Sequence, residues 1–197
     1  MQTTNFRLKE THPDTTSTTM IKKWLFILFW GFISIATCYS ENEPSISIGT
    51  EAPDFSVTDT LGNTISLHKY KGKYVLMEFW ASWCGDCRKE IPAMKAFYQD
   101  LYKKYDGQIV FLGISFDHNA VQWKNLLRKE KMPWIQASNL QPWKTNPIAQ
   151  AYGLHWIPSL FLVGPDGKIL ASAITVAEMK TKAETIFKAQ KKVLYQH

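Results

Sequence analysis

A nearly unbroken apolar run, Tyr74 to Trp80, leads within four residues into a helical pattern that opens near Cys84. A run of that kind suits a strand buried on both faces, so helices must cover both sides of its sheet. From about Cys84 to Lys104 the apolar residues Ile91, Met94, Phe97, Tyr98, Leu101 and Tyr102 recur with helical spacing. Gln108 to Ser115 is a second buried strand, after a break at Asp106-Gly107. Any fold for this chain must therefore seat a strand, a helix and a second strand around one core.

The remaining segments are shorter. Ile46-Ser47-Ile48, Asp54 to Val57 and Thr64 to Leu67 read as β segments, with a turn at Leu61-Gly62-Asn63. Ala120 to Lys129 reads as a helix, capped by Asp117 or Asn119. Pro133, Pro142 and Pro147 punctuate a long connection carrying Trp134 and Trp143, and a short helix follows at Pro147 to Tyr152. Ser159 to Val163, a tight turn at Gly164 to Gly167, and Lys168 to Ser172 form a hairpin; Ala177 to Lys192 closes the chain as a helix. The pattern implies an α/β fold: a mixed sheet with helices on both faces. Repeats and internal linkers are absent from the sequence, which reads as one domain.

The N-terminus is different in character. Residues 1–19 are polar and Thr-rich and cannot build a core. Lys22 and Lys23 then precede an apolar stretch, Trp24 to Ala36, short for a membrane span and typical of a signal peptide. Met20 is the better start, because it sets both lysines at the terminus. Ile35-Ala36-Thr37-Cys38 resembles a lipobox, which would make Cys38 the lipidated first residue; Thr37 departs from the usual small residue there, and an ordinary cleaved leader is the alternative. Either way the domain works outside the cytoplasm. From residue 39 onward, 19 basic and 15 acidic residues leave a mild, spread excess of +4 out of the chain's +6. There is no basic stripe interleaved with aromatics, and hence no nucleic-acid signature.

Cys84 and Cys87 are the only cysteines of the domain. The pair can be a permanent disulfide, half of a metal site, or a redox couple. A two-residue loop constrains the unfolded chain little, which disfavours the first. Structural zinc needs four ligands, and His68, His118 and His155 are scattered singly, so no metal is assigned. The redox reading has a physical cause. The first amides of a helix lack partners and carry partial positive charge, which stabilises a thiolate. Cys84, first and better exposed, is the attacking sulfur; Cys87, one turn later, resolves the mixed disulfide.

The segment VLMEFWASWCGDC (residues 75–87) resembles the thioredoxin active-site segment. Together with APDFSV (52–57), LGNTISLHKYKGKYVLMEFWASWCGDCRKEIPAM (61–94) and YGLHWIPSLFLVGPDGKI (152–169), it is similar to the extracytoplasmic, membrane-tethered thioredoxin-like reductases of the TlpA and ResA type. The resemblance implies a thioredoxin fold with an added N-terminal β-hairpin and a helical insertion, and thiol-disulfide oxidoreductase activity without a cofactor. The chain then divides into leader and signal peptide (1–37), tether (38–45) and thioredoxin-like domain (46–197).

The resemblance also implies roles for single residues. Pro158 matches the cis-proline that faces the disulfide, and the loop at Trp156-Ile157 would offer backbone groups to a substrate strand. Glu78 stands where thioredoxins carry a buried Asp. Burial should raise its pKa and suit it to exchange a proton with Cys87; the alternative is a strand-end Glu that reaches water. Glu90 matches a glutamate near the pair in ResA-like proteins, or simply favours the dipole of its own helix. Asp86 sets a negative charge beside Cys84, which should raise the thiol pKa and make the protein a reductant. Trp83 and Trp156 are expected to rim a surface for protein substrates, with Trp80, Trp123, Trp134 and Trp143 in the core.

Three functions follow for the pair. The first is reduction of disulfides in exported or envelope proteins, including apocytochrome c cysteines in this family, with electrons from a membrane donor. The second is a thioredoxin-fold peroxidase, disfavoured by Ala81 where a Thr is wanted. The third is a copper(I) chaperone using both thiolates and His155.

Overall fold

The computed structural model describes residues 46–105 and 107–194, with side chains to residue 190. The leader, the tether with Cys38, and Asp106 lie outside the described residues. None of the described helices is long and apolar enough to cross a membrane.

Strand β3 (Tyr74–Trp80) is an interior strand of a seven-stranded mixed sheet, buried from Val75 onward. It pairs in parallel with β4 (Ile109–Ser115), Glu78 opposite Gly113, and antiparallel with β6 (Ser159–Val163), Glu78 opposite Leu160. The antiparallel pair β1 (Ser56–Asp59) and β2 (Thr64–Ser66) forms one edge; β7 (Ile169–Ala173) forms the other. Alternation along β3 divides the core. Leu76 packs with Met94, Phe97 and Leu101 of α1 (Gly85–Lys104) and with Met179, Ala183 and Phe187 of α4 (Val176–Leu194). Val75, Met77 and Phe79 face the other way, toward Trp123 of α2 (Ala120–Glu130) and Ile148 of α3 (Pro147–Ala151). A sheet covered by helices on both faces explains why β3 has no polar alternation. This is the thioredoxin-like α/β architecture that the sequence implies.

The structure differs from the sequence reading in three places. Residues 46–48 are not a strand; Gly49, at φ 86°, turns the chain so that Gly49 and Ala52 bond to Ile169 and Gly167 instead. β1 lies two residues later than expected, because Asp54 is diverted to accept from Ser66 Oγ and the His68 amide. The proline-rich connection contains a strand, β5 (Ile135–Ser138), between β4 and β1. The insertion between β4 and β6 is therefore helix, strand and short helix rather than helical alone. Four residues with two polar side chains give no local strand signal; hydrogen bonds from neighbours on both sides make this segment a strand.

Candidate active site

Strand β3 ends at Trp80, and three residues later the chain enters α1. Cys84 is the N-cap of that helix, with non-helical φ −75° and ψ 114°, and its Sγ accepts from the Cys87 amide at 3.1 Å. The side chain that begins the helix is thus the sulfur itself, held where the orphan amides converge. Cys84 and Cys87 are joined as a disulfide, S–S 2.14 Å. Cys84 is 8% exposed and Cys87 0%, so an incoming thiol meets Cys84. Asp86 is exposed and pairs with Lys89 Nζ at 2.8 Å, which offsets part of the negative charge beside the cysteines.

The Ile157–Pro158 bond is cis, and the Ile157 carbonyl oxygen lies 3.6 Å from Cys84 Sγ. A cis bond is essentially confined to proline and turns the loop back on itself. The same loop is tied by Ser159 Oγ donating to the Trp156 carbonyl at 2.7 Å. Trp83 and Trp156 are 46% and 49% exposed, against a buried Trp80, Trp123 and Trp134. Trp143 is only partly buried, packed on the edge of the core, because its short 3-10 turn lies at the surface.

Glu78 sits on the interior strand β3 at 2% exposure, and its Oε2 finds no hydrogen-bond partner among the described residues. Burial, and secondarily the charge of Glu90, push its pKa up to about 8. The strand-end alternative fails here: Glu78 is buried within the sheet face that helices cover, and only 2% of it is exposed. Glu90 neither pairs with Glu78 nor serves only its own helix. Its Oε2 accepts from the Val176 amide at 2.7 Å, satisfying an orphan donor at the start of α4 and tying that helix to α1.

Five residues of the site neighbourhood escape the sequence reading. Asp117, fully buried, does not cap α2; Asn119 does, accepting from Val121 and Gln122. Asp117 instead accepts from the Ser82 amide at 2.8 Å, Ser82 Oγ at 2.6 Å and Ser115 Oγ at 2.7 Å. It clamps the segment two residues ahead of Cys84 to the end of β4. On the next row, Gly113 has no side chain because Gln136 lies over it: a Cβ there would collide with the Gln136 amide, whose Oε1 accepts from Trp80 Nε1 at 3.1 Å. A lone Ser or Asp after a strand resembles a cap in sequence, and only the partners reveal otherwise. An Asp117→Ala variant leaves two hydroxyls and an amide without their acceptor in a buried site. It should destabilise the protein by roughly 3 kcal/mol, read as a lower urea midpoint at unchanged slope; a shift within 0.5 kcal/mol, on the order expected of a surface substitution, would remove the clamp.

Among the described residues no group of three or more His, Cys, Asp or Glu is gathered to hold a metal ion.

The AhpC/TSA family profile matches residues 48–172. The chain is 33% identical over 146 residues to the thiol-disulfide oxidoreductase ResA of Bacillus cereus (strain ATCC 10987 / NRS 248), covering 74% of this chain and 76% of that one. Among solved structures, the thioredoxin domain of a thiol-disulfide oxidoreductase from Bacteroides vulgatus superimposes with TM-score 0.64 at 32% identity, covering 72% of this chain and 99% of that domain. A thiol:disulfide interchange protein from Bacteroides sp. superimposes at 0.62 with 32% identity, covering 72% and 90%. A family profile over most of the domain, relatives a third identical over three quarters of the chain and a shared fold agree, and the chain belongs to the AhpC/TSA family, on its thioredoxin-like, ResA-related side.

Proposed function

We propose that this protein is a thiol-disulfide oxidoreductase that reduces disulfides of exported proteins through Cys84 and Cys87. The observation that carries the reading is the position of Cys84 Sγ: at the helix N-terminus, 3.1 Å from the Cys87 amide and 3.6 Å from the carbonyl before cis-Pro158. In the reduced protein the Cys84 thiolate attacks one sulfur of a substrate disulfide, and the other substrate sulfur leaves as a thiolate. Cys87 loses its proton to Glu78 and attacks Cys84 Sγ; the second substrate sulfur departs and is protonated. The Cys84 thiolate and Cys87 thiol together give up two electrons and one proton, and the substrate disulfide gains them as one thiolate and one thiol. A dithiol donor at the membrane must then reopen the Cys84–Cys87 bond. Asp86, beside the attacking sulfur, limits thiolate stabilisation and favours the reducing direction. Trp83 and Trp156 flank the approach, with the Ile157 loop behind it.

The working site is the cell envelope. Residues 1–37 serve as leader, Cys38 as a lipid anchor, residues 38–45 as tether and 46–197 as the thioredoxin-like domain. Mass spectrometry of the protein extracted from membranes should find Cys38 as the N-terminal residue carrying lipid; an N-terminus elsewhere excludes the anchor.

Equilibration in a dithiol buffer series tests the function. The cysteines should interconvert in one two-electron step, with a potential toward the thioredoxin end of the range, near about −270 mV, and the reduced protein should open insulin disulfides. A pair that stays oxidised across the series ends the proposal. Peroxide consumption faster than insulin reduction would assign a peroxidase, and retention of copper(I) with no insulin reduction a chaperone.

A further inference from the structure

Two surface grooves are lined by residues that neighbour Cys84 and the cis-proline loop in the sequence. One, of about 430 Å³, adjoins Cys84 through Ser82 and Trp83 and reaches Arg88 and Lys129. The other, of about 660 Å³, ends two residues before Ile157 at His155 and contains Trp143 and Lys144. Neither lining includes a carboxyl group. Arg88, Lys129 and Lys144 have no ion pair among the described residues. The neighbouring acids are engaged elsewhere: Asp86 with Lys89, Glu130 with Lys95, and Glu90 with the α4 amide. Each groove therefore pairs an indole wall with unspent positive charge.

Resting on the oxidoreductase reading, we propose that these grooves select the substrate: an extended protein segment whose cystine is flanked by acidic side chains. The geometry favours such an occupant for two reasons. Cys84 is recessed, so a substrate sulfur reaches it only if the chain on either side lies across the flanking surface. At about 3.3 Å per extended residue, side chains two or three positions from the substrate cysteine lie roughly 7 to 10 Å to either side of Cys84, over the surface that Trp83 and the Trp156 loop border. Fixed cations with no internal partner raise the encounter rate of a segment carrying carboxylates and repel one carrying lysines. The overall charge of the domain is only mildly positive, so the bias is local to the site.

The test uses the full chain, reduced beforehand, and three cyclic peptides that share one disulfide and carry Glu, Gln or Lys on both sides of it. The second-order rate of protein oxidation by each peptide is followed in a single turnover, so no added reductant intervenes. Each rate is divided by the rate of the same peptide with dithiothreitol, which removes differences in intrinsic disulfide reactivity. At low salt the Glu peptide should react on the order of ten-fold faster than the Lys peptide, with Gln between; near 0.5 M salt the ratio should fall toward one. Reversing the first groove, with Arg88→Glu and Lys129→Glu together, should invert the order of Glu and Lys. Equal normalised rates for all three peptides at low salt would overturn the charge selection while leaving the oxidoreductase intact. Failure of every peptide to oxidise the reduced protein would remove both.

Discussion

A Cys87→Ser variant is expected to stop after a single exchange and to accumulate joined to its substrate through Cys84. Cys87 is fully buried and its amide points at Cys84 Sγ, so no other thiol of the domain is placed to release a substrate from that sulfur. Loss of the resolving step should lower steady-state insulin reduction on the order of a thousand-fold, because residues that act as a unit fail together. The first attack is retained, so non-reducing gels should show a new species that collapses on adding dithiothreitol. The partner variant Cys84→Ser separates chemistry from architecture. Serine is a good N-cap and should keep the start of α1 intact, yet it provides no nucleophile and should trap nothing. An adduct on Cys84→Ser of the size expected for Cys87→Ser would assign the attacking sulfur to Cys87 and reverse the order of the mechanism.

The second large effect belongs to Glu78. Its folded pKa of about 8 stands above the ordinary 4.5, chiefly through burial. A carboxyl group whose pKa is raised on folding holds its proton more tightly in the native state. It imposes no penalty below pH 4.5; the penalty grows between 4.5 and about 8, and is full above that. A shift of that size corresponds to at most about 5 kcal/mol, and relaxation around the buried charge reduces it to a few. Urea unfolding of the oxidised protein should therefore find Glu78→Gln near wild type at pH 5 and more stable than wild type, by roughly 2 to 3 kcal/mol, at pH 9. The kinetic consequence has the opposite sign. Glu78→Gln cannot accept the Cys87 proton, so closure of the mixed disulfide at pH 7 should slow on the order of a hundred-fold. The rise of the wild-type rate through the range in which Glu78 ionises should vanish in the variant. A variant with the wild-type pH profile in both measurements would make Glu78 a bystander.

The two variants probe opposite aspects of one arrangement. The proposed role of Cys84 rests on the helix beginning at it, a property of backbone ends that any sequence presenting strand, Cys-x-x-Cys and helix will tend to create. The proposed role of Glu78 rests on its burial beneath the helices that cover its face of the sheet. That property depends on elements far along the chain, the strands that pair with β3 and the helix α4 that covers it.

What could be read from the residues alone follows the same division. The apolar run Tyr74 to Trp80, the helical spacing after Cys84, the Ile157-Pro158 loop and the closing hairpin and helix all carry local signals, periodicity or a residue type with one conformational use. Those signals set the fold and the position of the cysteine pair. The tertiary structure decided the rest: that Ile135–Ser138 is a strand, that Glu90 serves α4, that Asp117 clamps Ser82 rather than capping α2, and that Gly113 makes room for Gln136. Each of these is a hydrogen bond or a close approach between segments far apart in sequence. Periodicity reports which face of an element is buried, but the partner of a lone polar group is chosen only when two such faces meet.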